Sequence, residues 1–154
     1  ADLALATMEH FSAQMAEEYS HILASDLSAL DKFKAVLQLK VDLQDEMYAQ
    51  YGQVCGCPFA TLGSELAGQN PDINQKIEEI SRLHLSYMMR CLDGLIEDNL
   101  LPADTHIRQA AEQIGAYVMG LMIMGRIRND AKIMHKNLIS GALLLLGITT
   151  EGQQ

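Results

Sequence analysis

The chain has no tryptophan, and its 154 residues include only three phenylalanines, three prolines and three cysteines. An odd number of thiols in a domain of this size makes no disulfide framework, so secretion is disfavoured and a cytoplasmic setting is expected. Basic residues are scarce as well, 11 against 20 acids for a net charge of −9. A chain this acidic is repelled by phosphate backbones and anionic lipid, and is not expected to bind DNA on its own. Long hydrophobic runs are missing too. The longest uncharged apolar stretches, Ile114–Gly125 and Leu138–Ile148, fall short of the roughly 20 residues of a membrane span. There is no signal peptide, and a soluble protein without a membrane partner is expected.

What remains is a chain 49% hydrophobic and 20% charged, with nine methionines. That excludes disordered and collagenous classes. By size scaling one domain of this length buries roughly 68–70% of its unfolded surface. The charge is uneven: residues 1–50 hold nine acids and three bases, whereas residues 101–154 hold four and five. A nearly neutral C-terminal third suits self-association.

Apolar spacing predicts six helices and no strand or internal repeat. Met8, Phe11, Met15, Tyr19 and Ile22 line one face of a first helix over about Leu3 to Ala24. Ser25 or Asp26 is placed to cap a second, whose stripe runs from Leu30 to Tyr51 and which Gly52 ends. Pro58 opens a short third helix stopped at Gly68, and Asn70-Pro71-Asp72 reads as cap, first-turn proline and dipole-matched acid of a long fourth. That helix carries apolar residues on two faces, so it lies centrally. A fifth, capped by Asp104 or Thr105, runs to about Ile127, and a sixth from about Asp130 to Leu146. The fold class is all-α, a six-helix bundle without a linker.

Gly115, Gly120, Gly125 and Gly141 fall inside the last two helices, where each costs about 1 kcal/mol relative to alanine. Close helix approach is the compensating gain. With the stripe Met134, Leu138, Ala142 and Leu145, which a small bundle would hardly cover, they point to a homodimer seam over Gly115 to Arg128 and Ile133 to Leu146. Val118 and Leu121 belong to the same expected interface.

The segment Gly56-Cys57-Pro58-Phe59-Ala60-Thr61-Leu62-Gly63-Ser64-Glu65-Leu66-Ala67, followed by Pro71 and Ile73, resembles the short helix and turn of C-terminal domains of TetR-family transcriptional regulators. Leu101-Pro102-Ala103-Asp104 with Ala111 and Gly120-Leu121 resembles that family's entry into its dimer-forming helices. The resemblance spans nearly the whole chain, residues 1–154. It implies a ligand-binding and dimerisation domain whose last two helices pair across a twofold axis as a four-helix bundle. It also implies a DNA-binding helix-turn-helix preceding residue 1, DNA being contacted only through it. An opening Ala1-Asp2-Leu3-Ala4 that already reads as helix, without an initiator Met, fits a fragment or a processed chain.

Chemistry-bearing motifs are thin. Glu18-Tyr19-Ser20-His21 has the Glu-x-x-His spacing of di-iron bundles, but His10, His84, His106 and His135 follow Thr7, Ser81, Ala103 and Lys132 at that distance. Cys55-Gly56-Cys57 offers two thiols without a neighbouring histidine, and packing accounts for them better than a soft metal or redox sensing. No nucleophile elbow or phosphate loop appears. No cofactor, metal or catalytic residue is therefore expected, the alternative being a metal- or haem-binding helical-bundle enzyme.

The preferred reading is a repressor domain in which helices one to four and part of five enclose a small apolar effector that releases DNA allosterically. Its candidate wall is Met8, Phe11, Met15, Met47, Tyr48, Tyr51, Phe59, His84, Met88, Met89, Tyr117 and Met122, since flexible thioethers and aromatics on converging helices suit an adaptable apolar pocket. Within it Phe11, Tyr48, Met88 and Tyr117 are expected to meet.

Overall fold

The computed structural model describes residues 2–66, 68 and 70–149. Ala1 and Ala67, named above, lie outside them. Six helices follow in the expected order: α1 Asp2–Ala24, α2 Ala29–Tyr51, α3 Pro58–Leu66, α4 Pro71–Glu97, α5 Ile107–Arg128 and α6 Lys132–Leu145. There is no strand among the described residues.

Local signals account for most boundaries. Asn70 Oδ1 accepts from the backbone N–H of Asp72 and Ile73 at 3.0 and 3.2 Å, with Pro71 in the first turn of α4. Gly52 ends α2 in the left-handed conformation, φ 70°, where a glycine carries no steric cost. Two caps differ from expectation. Ser28, not Ser25 or Asp26, caps α2: its hydroxyl accepts from Asp31 N at 3.1 Å and donates to the Asp31 carboxylate at 2.8 Å. Ser25 instead donates to the Ile22 carbonyl and closes α1. At α5 the N-cap position is His106, without a side-chain bond, because the Thr105 hydroxyl is turned back onto the Pro102 carbonyl.

α4 is the central helix, packing against α1, α2, α3 and α5, while α6 lies on α2 and α5. Its two apolar faces require this placement, because each needs a neighbour to leave water. The main core gathers Phe33, Leu37, Leu92, Leu95, Ile114 and Leu138, all fully buried. A smaller core of Met8, Phe59, Ile73 and Ile80 joins the start of α1 to α3 and α4. Met15 and Cys57 touch both.

The face α6 turns inward differs from the expected one. Met134, Leu138 and Ala142 are buried in the chain's own core, and Leu138 is 0% exposed. Of the stripe only Leu145 is exposed, beside Leu144 at 79%. On α5, Val118, Leu121 and Gly125 are likewise buried, whereas Gly120, Ile123, Met124 and Ile127 face out. Four apolar residues in succession, Leu143 to Leu146, leave the C-terminal end of α6 without a polar face. Packing of α2 and α5 therefore decides its orientation, not periodicity.

Candidate functional site

Where the two cores fail to close on each other the bundle keeps a cavity of about 220 Å³. Its wall is assembled from five helices: Phe11, Met15 and Tyr19 of α1, Val36, Lys40 and Leu43 of α2, Pro58 and Phe59 of α3 with Cys57 before it, Ser81, His84, Leu85, Tyr87 and Met88 of α4, and Ala111, Glu112, Gly115, Val118, Met119 and Met122 of α5. Glu112, Gly115 and Met119 are exposed, so the opening runs along α5. No heavy atom stands within 4 Å of where a Gly115 Cβ would be, and a side chain there would narrow the entrance.

The polar groups in this apolar wall are few and uneven. His84 meets the rings of Tyr19 and Phe59 edge-on at centroid distances of 5.9 and 5.7 Å. Its Nε2 is buried without a hydrogen-bond partner among the described residues. Burial first, and the Lys40 charge second, push its pKa down to about 3, so the ring is neutral near neutral pH. Lys40 donates to the Tyr19 hydroxyl at 2.6 Å. Its Nζ lies 5.4 Å from that ring's centroid, about the bond length plus the hydroxyl's own offset. The ammonium therefore sits off the ring edge, and the contact is a hydrogen bond, not a cation–π pair over the face. No carboxylate lies within 4.0 Å of Lys40 among the described residues. Tyr87 packs on Tyr19 at 5.2 Å and donates weakly to the Ala16 carbonyl at 3.4 Å.

One buried polar residue holds the wall from behind. Gln44, 0% exposed, clasps Gly56 with both ends of its amide, Nε2 donating to the Gly56 carbonyl at 3.0 Å and Oε1 accepting from its N–H at 2.9 Å. Gly56 has φ 74° and lies against the Arg126 side chain and the Met122 carbonyl, so a side chain there would be strained as well as crowded. Asn129 Oδ1 accepts from Val54 N at 2.9 Å, and Arg126 donates to Thr61 at 2.6 Å. These bonds pin the loop that carries Cys57 and Pro58 to the end of α5.

Of the twelve wall residues named from the sequence, Phe11, Met15, Phe59, His84, Met88 and Met122 line the cavity. The other six lie elsewhere. Met8 is packed in the smaller core and Met89 against the main one. Met47 is half-buried away from the cavity. Tyr48 and Tyr51, 40% and 58% exposed, lie past the end of the packed part of α2. Tyr117 turns to α6, donating to the Asn137 carbonyl at 2.7 Å and filling the space beside Gly141. Phe11 and Met88 thus share the cavity while Tyr48 and Tyr117 do not. Lys40, Tyr19, Leu43, Leu85 and Tyr87 were not in the sequence pattern's wall. Lys40 had a signal: a lysine one turn after Val36 and one turn before buried Gln44 interrupts the inward face of α2.

Nothing metal-like is assembled. Among the described residues no three His, Cys, Asp or Glu side chains converge. Glu18 and His21 are exposed, His21 standing 3.9 Å from Glu17 instead. Burial raises the Cys91 thiol to about 11, which leaves it unreactive. No helix among the described residues is long and apolar enough to cross a membrane.

No curated protein and no solved structure matches the chain. Residues 30–139 match the family model described as the tetracyclin repressor-like C-terminal domain. That stretch runs from the start of α2 into α6 and includes most of the cavity wall, and by it the chain belongs to the TetR-like C-terminal domain family, that of a transcriptional regulator.

Proposed function

We propose that residues 1–154 form the effector-binding and dimerisation domain of a TetR-like repressor acting in the cytoplasm, regulatory and not enzymatic. The observation that carries this is the cavity between helices α1 to α5, largely apolar in its walls, with Lys40 and His84 among its few polar lining residues. A largely preformed apolar space with few convergent polar groups is the usual form of a small-molecule site. DNA contact is assigned to a helix-turn-helix segment outside residues 1–154. An effector that prefers the conformation unable to span two half-sites lowers operator affinity by its differential affinity for the two states.

The homodimer seam is proposed on the outward faces of α5 and α6. Gly120 with Ile123, Met124, Ile127, Leu144 and Leu145 leaves an apolar surface on these two helices. Apart from α5's own backbone and the adjoining residues, nothing among the described residues lies within 4 Å of a Cβ at Gly120, so close approach there is available to a second copy. Calorimetry and light scattering test the reading together. The chain is expected to bind small apolar probes in a way that Met88→Trp, which fills the cavity, abolishes, and to be dimeric at micromolar concentration. A monomer that binds none of them refutes it.

A further inference from the structure

The polar equipment of the cavity specifies its occupant's head group. We propose that the effector is a compact monocarboxylate, its apolar body among Phe11, Met15, Phe59 and Met88 and its carboxylate held by Lys40 on the wall that His84 shares. This inference rests on the reading of the cavity as the effector site.

Three observations carry it. Among the described residues Lys40 Nζ donates to Tyr19 alone and meets no carboxylate. An ammonium half-buried against an apolar wall without a counter-ion is costly unless something supplies one. The His84 ring lines the same cavity. Both residues adjoin Tyr19, Lys40 at its hydroxyl at 2.6 Å and the His84 ring edge-on at 5.9 Å between centroids. A carboxylate has two acceptor oxygens in one plane. Lys40 gives one of them a charge-assisted bond, and the neutral His84 ring lies on the same wall.

Charge limits the head to a single negative unit. Lys40 is the one cation among the lining residues and His84 is neutral, whereas a phosphate dianion would leave a buried charge uncompensated. The acid facing this region is Glu112 at the opening, whose carboxylate accepts from Arg108 Nε at 3.1 Å, which offsets it. Size limits the body. A cavity of about 150 Å³ holds benzene, so about 220 Å³ suits a ligand of roughly nine heavy atoms. Benzoate and hexanoate are that size.

The test compares each acid with its isosteric amide, benzoate with benzamide and hexanoate with hexanamide, by calorimetry on the intact chain at neutral pH. The parent is expected to prefer the acid at least about tenfold, the scale of one charge-assisted bond over a neutral one. Lys40→Met should bring the ratio to about one, and Lys40→Arg should keep it above one. Independently of any variant, benzoate and not benzamide should shift the His84 ring-nitrogen resonance and raise its titration midpoint, because an anion beside the imidazole favours the charged form. Equal binding of acid and amide in the parent, or a preference that survives Lys40→Met, overturns the carboxylate while leaving the effector cavity standing. Failure of all four probes to bind overturns both.

Discussion

Replacing His84 with glutamine isolates a proton linkage whose size follows from where the ring is placed. The folded chain holds the His84 midpoint near 3 against an ordinary 6.5, chiefly by burial. Above 6.5 the ring is neutral in folded and unfolded chains alike, so its titration contributes nothing. Below that value the unfolded chain takes up a proton that the folded chain refuses. Stability then falls as the pH drops, by about 1.4 kcal/mol per pH unit, until the folded ring protonates too, near pH 3. Between about pH 7 and about pH 5 the loss amounts to about 2 kcal/mol. Urea unfolding followed by circular dichroism measures it, at one protein concentration because association contributes to apparent stability. The other four histidines are common to both chains and cancel in the comparison. The parent is expected to lose about 2 kcal/mol more than His84→Gln over that interval. Parallel pH curves would refute the reasoning, since they require that the imidazole reach water or a partner in solution.

Gln44→Leu removes both bonds to Gly56 and strands a buried N–H and carbonyl, so a loss of about 3 kcal/mol is expected in chemical unfolding, against less than about 1 kcal/mol if water replaces the amide. At Gly141 a methyl group would overlap the Tyr117 ring, and Gly141→Ala should cost about 1–3 kcal/mol in thermal melts. Gly115→Ala, with open space around it, should gain up to about 1 kcal/mol. Leu138→Glu puts a carboxylate into the core and should unfold the chain, whereas Gly120→Glu with Ile123→Glu should leave it folded and monomeric by circular dichroism and light scattering. The opposite order would mean that α6 presents its other face to the core.

The elements with periodic apolar positions and a chemical start or stop were legible before any coordinates. α1, α2 and α4 follow from Met8 to Ile22, Leu30 to Tyr51 and the Asn70-Pro71 start, because burial and capping are local and periodic. α6 was legible as a helix but not in its orientation. With Ala142 to Leu146 apolar without interruption, periodicity cannot choose between a face through Leu138 and one through Leu144. The cavity was half legible. Phe11, Met15 and Met88 fall on inward stripes, and inward stripes converge. Tyr48 and Tyr51 prolong such a stripe past the last neighbour of α2, where nothing remains to pack on. Lys40 and Gln44 were missed for the opposite reason: polar residues on an inward face register as noise in a hydrophobic pattern. Their partners, the Tyr19 hydroxyl and the Gly56 backbone, lie 21 and 12 residues away along the chain.

On the effector reading proposed above, the position of α1 would let occupancy of this cavity be felt elsewhere. Met8 belongs to the smaller core and Tyr19 to the main one, with Phe11 and Met15 on the cavity wall between them. The helix therefore bridges two packed units that an empty space keeps partly apart. Its N-terminal half is tied to α4 mainly by the smaller core and by the exposed Glu9 to Lys76 pair at 3.2 Å. A solid core would resist displacement throughout, because interiors packed to crystal density transmit strain without yielding. Here the wall facing the void can yield, while the Tyr19 end, bonded to Lys40 at 2.6 Å, holds. The proposed ligand's head on Lys40 would act at that fixed end, and its apolar body would act on Phe11 and Met15 toward the free one. Moving α1 from about 1:99 to about 99:1 between two settings requires about 5.5 kcal/mol of differential binding. By the ligand-efficiency ceiling for the smallest ligands, about 1.5 kcal/mol per heavy atom, roughly nine atoms supply at most about 13.5 kcal/mol, so about two fifths of that binding must be made in one setting alone. An effector that met both settings of α1 equally well would bind without shifting the helix.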